Sequence, residues 1–254
     1  MRLLRWTRYA ALAIALACSH VLAAPAQVSI VQPSGPEVAA NLLRISIRFA
    51  TQVEGPILPR LALLRAKGEP IEAPFLQQEL WSPDGTVLTV LLHPGRVKTG
   101  LNARTENGPI LSVGDEVTLT LDGSPIKRWE VIAARETGPI HSAWTISPVH
   151  VGSKERLNVT LDGPVDGLDV DYLAVADAHN RRVAGRARLI AGETTWTFSP
   201  AAAWRAGAYK LVARGTLEDP EGNRLGGHFE TAIESLPEHA DDAVIPFVIG
   251  SSNR

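Results

Sequence analysis

The sequence predicts an all-β fold, in which two tandem β-sandwich domains follow a signal peptide, and three observations lead to this prediction. Short runs of alternating apolar and polar residues recur along the chain, a pattern typical of strands that bury one face. The 254 residues include 21 Gly and 18 Pro but a single Met, which favours short strands and turns over long helices. The clearest alternating runs occur twice, which indicates a duplicated unit.

Two pairs of alternating runs define the repeat. The run Arg44–Phe49 has its counterpart at 156–161, and a valine and a glycine follow each run at the same offset. The run 86–92 corresponds in the same way to 194–198, and a proline stands two residues beyond each of them. The offset between the copies differs between these two blocks, as expected when tandem domains diverge by loop insertions.

Alternation also predicts which side chains face inward. The apolar members of the four runs are the predicted core residues: Ile45, Ile47, Phe49, Val90, Leu92, Leu157, Val159, Leu161, Trp196 and Phe198. Further strands are predicted at Leu61–Arg65, Glu116–Leu121, 172–177, 183–189, 209–214 and 229–233. Glycine-containing turns separate these strands, and strands at such spacing favour sandwiches.

The repeat sets the predicted domain limits. The first sandwich covers residues 27–136 and the second covers 143–235, with a joint near Thr137-Gly138-Pro139. Residues 236–254 form a predicted C-terminal tail. Its apolar stretch 244–249 is either an extra edge strand or a loosely docked end.

The first 24 residues have the features of a signal peptide. An apolar run at 9–17 is too short to cross a bilayer, and small residues follow it, which fits cleavage after Ala23 or Ala26. The run follows a basic segment with Arg2, Arg5 and Arg8. We therefore expect an exported protein, periplasmic or secreted, with no transmembrane span in the mature chain.

Two alternatives to a cleaved signal peptide remain open. The segment could stay attached as an uncleaved anchor, or the chain could be a lipoprotein attached through Cys18, although the residues before Cys18 match a lipobox poorly. Cys18 is the single cysteine, so the sequence excludes an internal disulfide and a cysteine-built zinc site. The sandwiches must then be stable through their cores alone.

Several short motifs of the second copy follow one another in a recognisable order. They are the strand Leu157-Asn158-Val159-Thr160-Leu161, the block Trp196-Thr197-Phe198-Ser199-Pro200 and the loop Asp219-Pro220-Glu221-Gly222-Asn223. In this order they resemble the bacterial Ig-like domains of the S-layer type, in which a D-x-x-G-N loop stands near the end. The first copy keeps the opening strand but has a longer insertion at 94–114 and no G-N loop. The resemblance implies seven-stranded Greek-key sandwiches that act as spacer or adhesion modules, and it supplies no catalytic residue.

The sequence contains no motif for catalysis, a cofactor or a metal. No serine lies in a G-x-S-x-G elbow, and no phosphate-binding or dinucleotide-binding glycine loop is present. The histidines outside the signal segment are scattered without ligand spacing. The net charge of −2 provides no basic field that would attract nucleic acid. We therefore expect neither an enzyme nor a cofactor, and no metal site.

Two groups of residues leave alternatives open. The alternating Asp219, Glu221 and Asn223 either supply oxygen ligands to calcium or form an Asx/Gly turn that closes the second sandwich, and the turn is favoured because three oxygens are too few for calcium. The tryptophans beyond the signal segment either stack on sugars or fill the cores, and the alternation around Trp196 favours the core.

The insertion at 94–114 is the best candidate for ligand binding, because inserted loops on rigid sandwiches commonly carry binding functions. Its cations Arg96, Lys98 and Arg104 could pair with an anionic partner such as a carboxylated glycan, or form a solvated basic loop. The predicted function is an exported, non-enzymatic structural or protein-binding protein, with an unidentified envelope protein or glycan as its partner. The alternatives are a carbohydrate- or anionic-ligand-binding module using this insertion, and a hydrolase with carboxylates converging at the domain joint.

Overall fold

The computed structural model describes residues 26–97, 102–225 and 241–250, and strands dominate its secondary structure. The strands of the first half are β1 (Val28–Gln32), β2 (Glu37–Ala39), β3 (Arg44–Phe49), β4 (Leu61–Arg65), β5 (Leu80–Trp81), β6 (Val87–Leu91), β7 (Glu116–Leu121) and β8 (Ser124–Ile132). The helices α1 (Pro94–Val97) and α2 (Asn102–Asn107) lie between β6 and β7. A 3-10 turn at Leu58–Arg60 leads into β4.

The first half forms a sandwich of two four-stranded sheets. One sheet has the order β1-β3-β6-β5 and the other has the order β2-β8-β7-β4. The short strand β2 runs parallel to β8, while the other neighbours are antiparallel. This distribution of strands between two sheets is that of immunoglobulin-like sandwiches.

The second half also forms two sheets, one of four strands and one of three. Its strands are β9 (Thr145–Ile146), β10 (Leu157–Thr160), β11 (Leu173–Asp177), β12 (Gly185–Ile190), β13 (Thr195–Pro200), β14 (Gly207–Ala213) and β15 (Ala243–Ile249). They form the sheets β12-β13-β10-β9 and β11-β14-β15. Further 3-10 turns cover His141–Ala143 and Asp169–Tyr172.

Each sandwich encloses its own hydrophobic core. The first core gathers apolar side chains from the residues between Val31 and Val131, and the second gathers those between Trp144 and Ile249. All the core residues that alternation predicted are buried. The all-β sandwich fold is therefore confirmed, and period-two alternation was the signal that identified it.

Four of the five tryptophans beyond the signal segment are buried in these cores and cannot form sugar-stacking platforms, whereas Trp81 is only partly buried. Trp129, Trp196 and Trp204 are at most 2% exposed, and Trp144 is 7% exposed. Their indole N–H groups donate to oxygens inside the protein: Trp129 to Pro33 O, Trp144 to Asp162 Oδ1, Trp196 to Val170 O and Trp204 to Glu155 O. An indole that is buried with its N–H bonded stabilises the core and is closed to a ligand.

The structure differs from the predicted elements and domain limits in two places. The insertion after β6 contains the helices α1 and α2, which no helical periodicity announced. Strand β15 lies beyond the predicted domain limit at 235 and pairs with β14 along its whole length, so strand pairing continues into the predicted tail. Residues 1–25 and the predicted strand at 229–233 lie outside the described residues. In the part that is described, no helix is long and apolar enough to cross a membrane.

Candidate functional site

The predicted ligand-binding cation Arg96 faces the protein interior. Its side chain is 9% exposed, and its guanidinium donates to Glu72 O at 2.6 Å and to Gly108 O at 3.1 Å. Longer bonds reach the carbonyls of Ala73 and Asn107. Arg96 therefore ties the insertion to the loop that leads into β5, and it satisfies carbonyls that would otherwise be buried without donors.

The other two predicted cations contribute no described geometry. Lys98 lies outside the described residues, and Arg104 lies in α2 with a side chain outside the described part of the structure. The prediction that Arg96, Lys98 and Arg104 bind an anionic ligand together stays a prediction.

The two sandwiches meet through a set of polar contacts that we call the joint, and Arg44 is its central cation. Arg44 begins β3 of the first sandwich, and its guanidinium forms an ion pair with Asp166 at 3.0 Å and a second one with Glu218, both from the second sandwich. Burial by itself would lower the pKa of Arg44, but the two carboxylates raise it above its usual range. The joint therefore holds a cation that is charged at any physiological pH.

Glu193 makes a second link across the joint. It lies in the hairpin between β12 and β13 and is 2% exposed. Its carboxylate accepts bonds from Ser34 N at 2.7 Å and from Gln32 Nε2 at 3.2 Å, both in the first sandwich. In the same hairpin, Gly192 has a φ of +67°, and a Cβ added there would lie 2.8 Å from Gly35 Cα. The two backbones thus approach each other closely where only glycine fits.

The loop 219–223, which carries the D-x-x-G-N motif, makes the third link. Pro220 O accepts bonds from the backbone N–H groups of Leu43 and Arg44. Within the loop, Asn223 donates its backbone N–H and its side-chain amide to Asp219. This is the side-chain-capped turn that the sequence favoured over a calcium loop. Its additional role, docking on the first sandwich, had no signal in the sequence.

The segment between the sandwiches is fixed from both sides. Arg135 lies in this segment, and its backbone exchanges two bonds with the Asn41 side chain, at 2.7 and 3.0 Å. Asn223 Nδ2 reaches Arg135 O from the second sandwich at 3.4 Å. The Arg135 guanidinium lies 3.7 Å from Asp162. The connection between the domains is therefore bonded to both of them.

Three carboxyl groups at the joint have raised pKa values. Burial and the nearby Asp219 raise the pKa of Glu221 to about 8, and burial raises that of Asp219 as well. Burial, together with Asp166 and Glu218, raises the pKa of Asp169 to about 7, although a bond from Glu218 N opposes the rise. Because Asn223 donates to both oxygens of Asp219, Glu221 is the member of the pair that holds the proton at neutral pH.

Asp219 and Glu221 meet the conditions for the predicted hydrolase, because they converge at the joint and have perturbed pKa values, but they are closed to solvent. Asp219 and Glu221 are 0% and 3% exposed. A cavity within the joint, lined by Arg44 and Asp166 among others, measures about 10 Å³, about the room for one water molecule. No substrate reaches Asp219 or Glu221 in this arrangement. Among the described residues, no three His, Cys, Asp or Glu side chains converge as metal ligands.

An open cleft of about 690 Å³ lies beside the joint. Leu80, Trp81 and Val87 of the first sandwich line it together with Leu168 of the second. Leu80 and Leu168 are 39% and 41% exposed. Because both sandwiches contribute apolar walls, the shape of this cleft depends on the joint.

Comparisons with known proteins were made on the sequence and on the fold. No protein-family model matches the chain. No curated protein is similar to it at a significant level. Solved structures with a similar fold include immunoglobulin-like and bacterial surface proteins.

Three of these structures illustrate the range of proteins with which the chain shares a similar fold. The BSP domain of a biofilm-associated protein is 11% identical with a TM-score of 0.27, over 89% of this chain and 30% of that one. Domains 5-6 of the S-layer protein SbsC are 10% identical with a TM-score of 0.26, over 87% and 96%. The L,D-transpeptidase from Mycobacterium smegmatis is 13% identical with a TM-score of 0.28, over 65% and 59%. At these identities and TM-scores, none of the similarities assigns an activity or a partner to the chain.

Proposed function

We propose that the chain is an exported, non-enzymatic structural or protein-binding protein of the cell envelope, in which two Ig-like sandwiches act as one rigid body. The observation that carries this proposal is the joint. Arg44, Glu193 and the loop 219–223 join the sandwiches at three separate places, and the connecting segment is bonded to both. Flexibly linked domains have few contacts across their boundary, so this joint favours a fixed orientation.

The proposal of a non-enzymatic role has its own physical support. The carboxyl groups of Asp219 and Glu221, which would be the first candidates for acid–base catalysis, are buried at the joint, and Asp219 is bonded to Asn223. Asp169 is half-buried and accepts a bond from Glu218 N. Burial explains their pKa values without a substrate. The proposal that a protein partner binds is supported by the cleft beside the joint, which exposes apolar side chains of both sandwiches.

Export is tested with a fusion of residues 1–30 to a phosphatase that is active only outside the cytoplasm. We expect activity from this fusion and none from a control fusion that begins at residue 27. N-terminal sequencing of the processed full chain should find Ala24 or Gln27 as the first residue, corresponding to cleavage after Ala23 or Ala26. Activity confined to the cytoplasm would contradict the proposal, while a protein that keeps Cys18 and carries lipid would favour the lipoprotein alternative.

The envelope role is tested separately by crosslinking in intact cells that express the full chain. A benzophenone amino acid at Leu168, in the cleft, should give a discrete protein adduct. The same probe at Ala202, an exposed position of the second sandwich that does not line the cleft, is the matched control. Protein binding through this cleft would be contradicted if the probe at Leu168 gave no adduct, or if the adduct yields at Leu168 and at the control position were equal.

A further inference from the structure

The outward face of the sheet β12-β13-β10-β9 carries a basic surface that we call the arginine face, defined by Arg156, Arg186 and Arg188. Arg186 and Arg188 are two residues apart on β12, so their side chains leave the same side of the strand, and both are exposed. The intervening Ala187 and the following Leu189 pack against the second core. The alternation of β12 thus separates its apolar side from its cationic side.

Strand pairing places Arg156 on the same face. Arg186 stands opposite Ser199 of β13, and Leu157 of β10 stands opposite Phe198. Arg156 precedes Leu157, so one further step of the same register places Arg156 opposite Ser199. Ser199 of β13 therefore has Arg186 of β12 on one side and Arg156 on the other. Arg156 is exposed. The three arginines therefore lie on one side of one sheet, about 7 Å apart along β12 and about 10 Å apart across the strands.

The three arginines of this face have no carboxylate partner, whereas several other arginines of the protein are paired. Arg60, Arg128 and Arg181 each lie within 3.5 Å of an Asp or Glu oxygen. Within the residues that the structure describes, no carboxylate lies within ion-pair distance of Arg156, Arg186 or Arg188. The arginine face therefore presents three unpaired positive charges close together on a protein whose net charge is −2.

A groove runs beside the arginine face along the free edge of β12. It has a volume of about 310 Å³, and Arg182, Arg186 and Arg188 line it. Arg182 is held 3.5 Å from Asp171, and both side chains are more than 60% exposed. β12 is the outermost strand of its sheet, so the groove is open to a long ligand as well as a short one.

Hydrogen-bonding side chains lie between and beside the cations of the arginine face. Ser199 of β13 lies between Arg156 and Arg186, and Asn158 of β10 lies in the next row, which ends at Arg188. Thr160 and Thr195 point outward in the row beyond, beside these cations. Neutral donors and acceptors between cations suit a ligand that carries hydroxyl groups as well as negative charges. Guanidinium groups bind carboxylates through two parallel hydrogen bonds, which favours carboxylate groups as the negative charges.

We propose that the arginine face binds an acidic polysaccharide, with Arg156, Arg186 and Arg188 pairing with its carboxylates. The extended ligand lies across β10, β13 and β12, and its hydroxyl groups bond to the polar side chains between the arginines. This binding is independent of the proposed structural role and uses a surface away from the insertion at 94–114. A competing explanation is that charges on the edge strand β12 only prevent it from pairing with other strands.

The test uses the full chain and polygalacturonate as the probe, with neutral dextran as the uncharged control ligand. The triple variant Arg156→Gln, Arg186→Gln, Arg188→Gln is expected to bind polygalacturonate about tenfold more weakly or worse. The matched control is Arg60→Gln, Arg128→Gln, Arg181→Gln, which changes the net charge equally and should bind within about twofold of the unmodified protein. Binding of the unmodified protein should weaken as salt is raised from 50 to about 200 mM.

Three results would overturn the proposal. They are equal binding of polygalacturonate and dextran, equal weakening in the two triple variants, and tighter binding to phosphatidylglycerol vesicles that displace the polysaccharide. If the first triple variant associates with itself, Arg186→Gln and Arg188→Gln are measured singly against Arg60→Gln. Each should then weaken binding by about twofold or more, and unchanged affinity in both would leave only the competing explanation for the edge charges.

Discussion

The chain contains two basic segments whose arginines face opposite ways. In the insertion between β6 and β7, Arg96 points inward and donates to backbone carbonyls. On β12, Arg186 and Arg188 point outward and are exposed. The number of cations in a segment therefore does not decide whether those cations are accessible to a ligand. What decides it is whether the backbone around them already has its hydrogen bonds satisfied.

The local structure explains this difference. The insertion is irregular, so several of its carbonyls and those of residues 72–73 have no strand partner, and a long buried arginine supplies the donors they need. Strand β12 pairs with β13 over the register from Gly185 to Ile190, and the backbone groups on its free edge are open to water, so none of them needs an arginine as donor. Its arginines are therefore free to face solvent.

The substitution Arg96→Met should have the largest effect on stability among the variants that test this comparison. Removal of the guanidinium leaves buried carbonyls without donors, so the free energy of unfolding should fall by about 2–4 kcal/mol. The matched variant Arg188→Met, on the exposed side of β12, should change it by less than about 0.5 kcal/mol. Urea unfolding of both variants is the measurement. Equal losses would show that Arg96 is not the structural residue described above.

Gly185→Ala tests the inward side of β12. A Cβ at this position would overlap the Phe198 ring and the Ser199 carbonyl oxygen, and the resulting strain should cost about 1–3 kcal/mol. Gly250→Ala is the control, because nothing lies within 4 Å of its added Cβ. Thermal unfolding followed by circular dichroism measures both. A neutral Gly185→Ala would mean that the strand is packed more loosely than the structure indicates.

The pH dependence of stability and of ligand binding distinguishes the buried carboxyl groups of the joint from the exposed arginines. The pKa of Glu221 is raised from 4.5 to about 8, so the folded chain holds a proton that the unfolded chain releases. Its contribution to stability is therefore present at low pH and is lost as the pH rises toward 8, by on the order of 2 kcal/mol between pH 6 and 9.

Glu221→Gln supplies the control for that prediction, since a neutral amide has no proton to lose. Its unfolding temperature should decrease less between pH 6 and 9 than that of the unmodified protein. Polygalacturonate binding should stay constant over the same range, because guanidinium groups remain charged. A pH-independent unfolding temperature in the unmodified protein would contradict the raised pKa of Glu221.

Local patterns in the sequence predicted the strands that carry the cores. Arg44–Phe49, Leu61–Arg65 and Glu116–Leu121 have the bounds that alternation and turn residues indicated. Short strands such as Glu37–Ala39 were missed, because three residues are too few to show a period. Strand β15 was left as one of two possibilities, since Pro246 weakens its strand signal although it pairs fully with β14.

The joint could not be predicted, because its bonds link residues that are far apart in the chain. Arg44 looks like an ordinary polar member of an alternating strand, and Glu193 like an exposed turn residue, yet both are bonded to the opposite sandwich. Arg96 was predicted to bind a ligand because cations cluster around it. No local feature indicated that carbonyls would surround it.

The rigid joint is the central claim, and the distance distribution between the two sandwiches tests it most directly. Spin labels are attached to cysteines at Glu69 and Ala202, exposed positions in the first and second sandwich, in a chain carrying Cys18→Ser. Pulsed electron paramagnetic resonance should give a single narrow distance distribution, and the double variant Arg44→Ala, Glu193→Gln should broaden it. A broad distribution with the joint intact would contradict the account.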